Sequence, residues 1–289
     1  MDVGRVGVWG TGTWLDESRR DEAKDVAAEL DDLGYGSLWL SAGFGEGVPT
    51  VFGDLLDATR RLAVASGILS IWHSTPQQTA DGFERLEQRH PGRFLLGLGA
   101  SHAPRVEQAG ERYNRPYSRM VGYLDQLDAQ QAVVPVERRV LAALGPRMLR
   151  LAAERAAGAH PYFVPVEHTA QARETLGDGP LLVTEQAVVL ETDPDRARRV
   201  ARRHTTGYLG LPNYTNNLRR LGYGDDDIAG AGSDRLVDAV VAWGTPDQVA
   251  DRVRAHHDAG ADCVLVQVLT DGAARFPRQE YRELANVLL

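Results

Sequence analysis

The chain has 289 residues, of which 43% are hydrophobic and 25% are charged. This composition supports a large buried core and argues against disorder. The formal net charge of −8 argues against a nucleic-acid-binding protein, which would present a basic face. No apolar run reaches the roughly 20 residues that cross a bilayer, and the first residues do not resemble a signal peptide. We therefore expect a cytoplasmic protein without a nucleic-acid or membrane partner.

Short apolar runs predict eight strands along the chain. Several of the runs are continuously apolar rather than alternating, which is typical of strands that are buried on both faces, as in parallel sheets. In chain order the predicted strands are Val3–Trp9, Ser37–Leu40, Leu62–Ile71, Phe94–Leu98, Val140–Leu144, Tyr162–Val164, Leu181–Leu190 and Cys263–Leu269.

The stretches between these strands predict helices with recognisable ends. Thr75 and Thr245 are each followed by proline and then by glutamine at the third helical position, a pattern typical of a capped helix start. Asp16–Leu33 has apolar residues at helical spacing and is followed by Gly34, and Gly260 stands where a glycine would end another helix.

Alternating strands and helices predict an α/β protein, a (β/α)₈ TIM barrel, and an open doubly wound sheet is the competing architecture. The segment 193–244 is too long for one crossover and predicts a helical insertion between strands 7 and 8, with helices over Asp193–His204, Asn216–Leu221 and Ser233–Trp243. No segment is rich enough in glycine, serine or proline to divide the chain, so we expect residues 1–289 to form a single barrel domain.

In such a barrel the loops that follow the strands carry the chemistry. Trp9, Trp39 and Trp72 lie at or near predicted strand ends, where glycines are also frequent. Aromatic walls and close backbone approach suit a flat aromatic ligand. The alternative is that the tryptophans only cap the barrel core.

Side chains that could move protons are sparse at this end of the barrel. His73 and His102 are the histidines that follow the first five strands, and each could instead be an ordinary surface or core residue. The strand ends carry no pair of carboxylates, Lys24 is the only lysine, and Cys263 is the only cysteine. These facts disfavour hydrolase, aldolase, enolase and cysteine-metal chemistry, and we expect no metal site. A cofactor is therefore expected to carry the chemistry.

Four blocks resemble the luciferase-like monooxygenase superfamily, and the fifth-strand turn resembles its F420-dependent oxidoreductase branch. The resemblance covers nearly the whole chain, and the order and spacing of the blocks are more specific than any one of them. The blocks are Gly92–Gly99, Tyr113–Asp125, Leu141–Met148 and Ala259–Asp262.

The resemblance implies that the deazaflavin ring of F420 lies across the barrel mouth, near a non-proline cis peptide in a bulge of the third strand. A glycine within that strand independently indicates a bulge. His102 and His73 are the candidate catalytic residues, as proton donors. The cofactor-binding candidates are Trp9, Ser66, Gly67, Ile68, Gly99, Ala100, Ser101, Leu144, Gly145, Pro146, His168 and Thr169.

The match is poorest at the turn that opens the sixth helix, where the resemblance places the cofactor phosphate. Pro165 replaces a capping threonine of the family pattern, and Glu167 would repel a phosphate unless it faces away. The second-strand tip has Ala42 and Gly43 where the sugar-phosphate branch has an aspartate–histidine pair, and His102 replaces that branch's glutamate. Sugar-phosphate oxidation by that mechanism is therefore not expected.

We thus expect an F420-dependent oxidoreductase that transfers a hydride between deazaflavin C5 and a small-molecule substrate. One alternative is an FMN-dependent luciferase-like monooxygenase, because FMN reacts with oxygen whereas the deazaflavin is not expected to. Another is a non-catalytic ligand-binding barrel, and a weaker one is a phosphate-binding isomerase. The resemblance to the family also implies a homodimer. The segments expected to face the substrate are Thr11–Trp14, Phe44–Val48 and His204–Tyr214.

Overall fold

Parallel strands alternate with helices throughout the computed structural model, which describes residues 1–42, 48–272 and 275–289. The strands are β1 Val6–Gly10, β2 Ser37–Leu40, β3 Ala63–Ser66, β4 Leu69–Ser70, β5 Phe94–Gly99, β6 Arg139–Ala142, β7 Gly158–His160, β8 Leu181–Val189, β9 Val241–Trp243 and β10 Cys263–Val268.

Strand pairing closes the sheet into a barrel. β10 pairs in parallel with both β1 and β8, so the first and last strands meet. β3 and β4 are the two halves of the third barrel strand, and the cis peptide between Gly67 and Ile68 lies between them. β9 pairs with the C-terminal end of β8. The predicted (β/α)₈ barrel is therefore confirmed, and the open sheet is excluded by the closure.

The helices are α1 Arg20–Leu33, α2 Val51–Ala58, α3 Pro76–Arg89, α4 Ala103–Gln108, α5 Pro116–Asp128, α6 Pro146–Arg155, α7 Val166–Leu176, α8 Pro194–Leu209, α9 Pro212–Arg220, α10 Asp225–Ile228, α11 Asp234–Val240, α12 Pro246–Asp258 and α13 Arg278–Leu288. Thr75 and Thr245 cap α3 and α12 as predicted, each with its glutamine. Gly34 ends α1 with a φ of 96°, a value that glycine adopts without steric cost. In the described residues no helix has the length and apolar character needed to span a bilayer.

Two predictions of element position were wrong. The sixth strand was predicted at Tyr162–Val164, but it is Gly158–His160, which pairs with β6 and β8. Tyr162–Val164 has a higher strand propensity than Gly158–His160, because aromatic and β-branched residues favour strands. Pairing with the neighbouring strands nevertheless decides which residues form the strand. The helix predicted at Ser233–Trp243 ends at Val240, because the next three residues pair with β8 as β9.

Three hydrophobic clusters stabilise the structure. The largest lies between the barrel and the helices around it. A second cluster fills the barrel interior and includes Trp9, Trp39, Leu95, Val183 and Leu265. A third cluster joins the 193–244 segment, which includes β9, to Phe163 and the C-terminal end of β8. The interior cluster closes the barrel from below, so the space above it at the strand ends is available for a ligand.

Candidate functional site

A cavity of about 410 Å³ opens among the loops that follow the strands. This volume is within the usual range for small-molecule sites. Residues from most of the barrel loops and from the 193–244 segment contribute to its walls. The residues predicted for the site that line the cavity are Trp9, Gly67, Ile68, Ala100, Ser101, His102, Leu144 and Gly145.

The interrupted third strand forms one wall. The cis peptide falls at Gly67–Ile68, within the segment where the resemblance implied it. Ser66 does not line the cavity: its hydroxyl donates to the carbonyl of Gly97 at 2.9 Å and accepts from the amide of Gly97 at 2.8 Å. Gly99 lies behind Ile68, because a Cβ on Gly99 would stand 2.5 Å from Ile68 Cδ1. Ser66 and Gly99 therefore support the wall, and Gly67 and Ile68 present its surface.

The loop between β6 and α6 forms another part of the wall. Gly145 precedes α6 in an extended conformation, and Pro146 is the first helical residue. Nη2 of Arg220, on α9, stands 3.7 Å from the point where a Cβ on Gly145 would lie. Arg220 donates to Asn217 Oδ1 at 2.9 Å and is in no ion pair with a described residue. A helix N-terminus and an unpaired guanidinium thus meet at one place, which favours an anion.

His168 and Thr169 do not line the cavity. His168 is buried, and its Nε2 lies 2.9 Å from the carbonyl oxygen of Leu144. The carbonyl can only accept, so Nε2 carries the hydrogen. Burial lowers the pKa of His168, and the nearby guanidinium of Arg220 lowers it further. His168 therefore holds the Leu144 backbone in place from behind.

Thr169 belongs to a buried hydrogen-bond chain. Gln186 Nε2 donates to two carbonyls, so its Oε1 accepts from His256 Nε2 at 2.9 Å. His256 Nδ1 is then left to accept, and Thr169 Oγ1 lies 2.8 Å from it. The hydroxyl of Thr169 is therefore the donor that satisfies His256.

Replacing Thr169 by valine should lower the free energy of unfolding by about 1–2 kcal/mol, because His256 Nδ1 would lose its donor while remaining buried. Thr175→Val on the same helix removes an exposed hydroxyl that donates to the Gln171 carbonyl, and we expect a much smaller change. Urea unfolding of both variants measures the difference. Equal losses in the two variants would contradict the assignment.

Of the two candidate catalytic histidines, only His102 lines the cavity. Its ring packs against that of Tyr214 with centroids 4.9 Å apart, and its Nδ1 has no hydrogen-bond partner among the described residues. Burial lowers the pKa of His102 to about 4, and Arg105 adds to the effect. His73 Nδ1 lies 3.0 Å from Oγ of Ser70, and Ser70 does line the cavity.

Two linked hydroxyl groups border the cavity: Tyr208 lies in the predicted segment His204–Tyr214, whereas Tyr162 was missed in the sequence. Tyr162 donates to Gln267 Oε1 at 2.8 Å, so the 2.8 Å contact between the Tyr162 and Tyr208 hydroxyls has Tyr208 as its donor. Burial raises the pKa of both tyrosines. Tyr162 follows β7, and the misplaced sixth strand hid it inside a predicted strand. A correct strand end at His160 would have exposed it as a loop residue.

Helix α9 forms a side of the cavity. Asn213 Nδ2 donates to the carbonyl of Ser101 at 3.2 Å, which ties the start of α9 to the loop after β5. Tyr214 and Arg220 are six residues apart, which places them about 9 Å apart along the helix axis. The helix therefore extends from the His102 end of the cavity to the Gly145 end.

The charge of the lining is opposite to that of the whole chain. The described residues that line the cavity include Arg105 and Arg220 but no aspartate or glutamate, whereas the chain carries a net charge of −8. A positive, partly enclosed site favours a ligand with negative charge. In the described part of the chain, no group of three potential ligands among His, Cys, Asp and Glu could hold a metal ion.

Glu185 is a buried carboxyl that interacts with the tyrosines of this site. It accepts from the amide of Phe163 at 3.1 Å, and its Oε1 has no hydrogen-bond partner among the described residues. Burial raises the pKa of Glu185 from 4.5 to about 8. The folded protein thus keeps this proton, and the unfolded chain releases it, between about pH 4.5 and pH 8.

The stability of the wild-type protein should therefore fall relative to Glu185→Gln as the pH rises through that window, because unfolding releases a proton only from the wild type. We expect the difference in unfolding free energy between the two proteins to change by a few kcal/mol from pH 4.5 to pH 8. Urea unfolding across the range measures it. The exposed Glu154→Gln is the control for the loss of a carboxyl group from the surface. A flat difference for Glu185→Gln would show that its carboxyl titrates normally.

The segments expected to face a substrate have different outcomes. Tyr208, Asn213 and Tyr214, from the third segment, line the cavity. Thr11, Thr13 and Trp14 line a second cavity of about 370 Å³, which shares Trp9 with the first. Residues 43–47, which include Gly43 and most of Phe44–Val48, lie outside the described residues.

The sequence profile of the luciferase-like monooxygenase family matches residues 1–130 and 127–263. This chain belongs to that family. It is 24% identical to 5,10-methylenetetrahydromethanopterin reductase of Archaeoglobus fulgidus, over 81% of this chain and 86% of the relative. It is also 24% identical to a Mycobacterium tuberculosis protein named as a coenzyme F420-dependent oxidoreductase, over 96% of this chain and 97% of the relative.

Solved structures of luciferase-like proteins share the barrel. An F420-dependent secondary alcohol dehydrogenase, in complex with an F420–acetone adduct, aligns over 99% of each chain with a TM-score of 0.73 and 14% identity. An FMN-bound type II Baeyer–Villiger monooxygenase from Pseudomonas putida aligns over 97% of this chain and 95% of its own, with a TM-score of 0.65 and 18% identity. At these identities the structures support the luciferase-like fold.

Proposed function

We propose that this protein is an F420-dependent oxidoreductase that transfers a hydride between deazaflavin C5 and a small organic substrate. The observation that carries the proposal is the cavity at the barrel mouth, which has aromatic walls, two arginines and no carboxylate among its described lining residues. Such a site suits a large planar ligand with a negatively charged side chain. The names of the two curated relatives support an oxidoreductase, and one of them is named for F420.

The residues present fit this cofactor. The flat surface of Gly67, Ile68 and Ala100 would face the ring, and Trp9 Nε1 is a buried donor without a partner beside it. The anion-favouring end at Gly145 and Arg220 would take the phosphate, in place of the Pro165–Thr169 turn expected from the resemblance, which does not line the cavity. Direct contacts are proposed for Trp9, Gly67, Ile68, Ala100, Ser101, Leu144 and Gly145, and supporting roles for Ser66, Gly99, Pro146, His168 and Thr169.

When bound, F420 would supply hydride transfer at C5, and the protein would handle the accompanying proton. His102 is a neutral imidazole at pH 7 because its pKa is about 4. The lowered pKa makes the protonated, proton-donating form rare at pH 7 and also makes the ring a weak base, so His102 is proposed to hydrogen-bond the substrate as a neutral imidazole. His73 would act through Ser70, which lines the cavity. The hydroxyl of Tyr208 directs its hydrogen to Tyr162, and its oxygen also interacts with the side chain of Arg105, so the pair would present both an oxygen acceptor and a cation to a substrate.

Spectroscopic titration of the purified protein with F420 and with FMN tests the proposal. We expect F420 to bind at micromolar concentration or tighter, and FMN to bind more weakly. Hydride transfer would then be followed as the change in F420 absorbance with a panel of alcohols, ketones and unsaturated carbonyl compounds. If neither cofactor binds, the proposal fails.

An FMN-dependent monooxygenase is the second candidate, because an FMN-bound enzyme shares the fold over nearly all of both chains. Preferential binding of FMN, together with substrate-dependent oxygen consumption, would favour it. Tight cofactor binding with no turnover of any substrate in the panel would instead favour a ligand-binding barrel.

A further inference from the structure

Two polar atoms at the floor of the cavity have no hydrogen-bond partner among the described residues. They are Nε2 of His160 and Nε1 of Trp9. Both side chains line the cavity, although His160 is only 2% exposed and Trp9 only 9% exposed. A buried polar group without a partner costs about 1–3 kcal/mol. Two such atoms at the floor of one cavity indicate that a ligand satisfies them.

The two atoms have opposite hydrogen-bonding character. His160 Nδ1 lies 2.8 Å from the carbonyl oxygen of Val183, so Nδ1 carries the ring hydrogen and Nε2 is an acceptor. Burial lowers the pKa of His160 to about 4, so Nε2 remains unprotonated at neutral pH. The indole nitrogen of Trp9 can only donate. The floor therefore offers one acceptor and one donor.

Both atoms lie close to the interruption in the third strand. Trp9 Nε1 stands 3.0 Å, and Trp39 Cβ 3.6 Å, from the point where a Cβ on Gly67 would lie. The ring of His160 packs against that of Trp39, with centroids 4.9 Å apart. Trp39 donates to Ser37 at 3.1 Å and so does not compete for a ligand. The acceptor and the donor thus both lie next to Trp39 and border the same cavity.

We propose that His160 and Trp9 bind the edge of a planar heterocycle that carries an N–H group beside a carbonyl group. His160 Nε2 would accept from the N–H, and Trp9 Nε1 would donate to the carbonyl oxygen. This inference rests on the proposed function, because the pyrimidine ring of F420 has such an edge at N3 and its flanking carbonyls. FMN has the same edge, so these two residues would fix the ring without discriminating between the cofactors.

Methylation of the ligand at N3 removes the hydrogen that His160 would accept. We expect the wild-type protein to bind N3-methylated F420 about tenfold or more weakly than F420. Fluorescence titration of the protein with each ligand in turn measures the two dissociation constants. In His160→Leu the affinity for F420 should fall by a similar factor, and methylation should cause little further loss. Trp9→Phe should weaken the binding of both ligands and keep the methylation penalty.

His204 provides a matched control. It is also a histidine whose buried Nε2 has no partner among the described residues, and it packs against Tyr162 and Tyr208, but it lines the second cavity rather than this one. His204→Leu should keep the wild-type methylation penalty. His160→Gln, which restores an acceptor oxygen, should recover part of the methylation penalty that His160→Leu loses.

Three results would overturn the inference: no penalty in the wild type, an undiminished penalty in His160→Leu, or a penalty that disappears equally in His204→Leu. If His160→Leu does not fold, the wild-type comparison and His160→Gln still decide. Normal binding of F420 without a penalty would overturn this inference alone, whereas absence of binding by F420 and FMN would overturn the proposed function as well.

Discussion

Replacing Arg220 by glutamine is expected to weaken F420 binding by about 10- to 100-fold, because hydrogen bonds to charged groups contribute about 1.5–3 kcal/mol. Arg220 meets the N-terminus of α6 at Gly145 and has no carboxylate partner among the described residues. Its charge is therefore available to a bound phosphate. Fluorescence titration with F420 at low ionic strength measures the loss.

The neighbouring Arg219 is a matched control for this substitution. It lies on the same turn of α9, but its guanidinium pairs with Asp225 at 2.9 Å on the outer surface. Arg219→Gln removes the same charge from the same helix end, and we expect it to change the dissociation constant less than about threefold, since exposed charges are screened by salt. Equal effects of the two variants would mean that Arg220 acts only through long-range charge.

Replacing Gly97 by alanine is expected to reduce the free energy of unfolding by about 3 kcal/mol, at the upper end of the usual cost of overpacking. A Cβ at this position would stand 1.9 Å from the carbonyl oxygen of Ser66. The Ser66 carbonyl belongs to the backbone and cannot rotate away, and the Ser66 hydroxyl also bonds both the amide and the carbonyl of Gly97. Relief of the clash would displace the strand that leads into Gly67 and Ile68, so cofactor affinity should fall with stability.

Gly122→Ala is the control for this experiment. Gly122 lies in α5, and a Cβ there would have nothing within 4 Å. Alanine should leave stability unchanged or increase it by up to about 1 kcal/mol, because it favours the helix and restricts the unfolded chain. Thermal unfolding of both variants measures the contrast. A Gly97→Ala protein as stable as the wild type would show that β3 and β5 can separate at no cost.

The barrel was predictable from the sequence because its signals are local. Continuous apolar runs mark buried parallel strands, and Thr75 and Thr245 mark helix starts through their own side chains. The sixth strand was not predictable in the same way. Gly158–His160 has weak strand propensity, and it is a strand because β6 and β8 present partners on both sides.

The candidate site was predictable where it belongs to the barrel and not where it comes from the insertion. The cis peptide at Gly67–Ile68 was located through a resemblance, and the structure confirms it. Arg220 could not be recognised as a site residue in the sequence, because the chain contains many arginines. Only the packing of α9 places this one at Gly145. His168 and Thr169 follow the predicted turn in sequence, but the helix directs both side chains into the protein.

The hydrophobic cluster of the 193–244 segment has a consequence for how the specificity of this site could change. The segment supplies Tyr208, Asn213, Tyr214 and Arg220 to the cavity, yet its apolar residues pack mainly with one another, with Phe163 and with the end of β8. The barrel interior has a separate core. The segment is thus a module: exchanging it between related barrels should redesign the substrate side of the cavity while the cis peptide and the floor beneath it are retained.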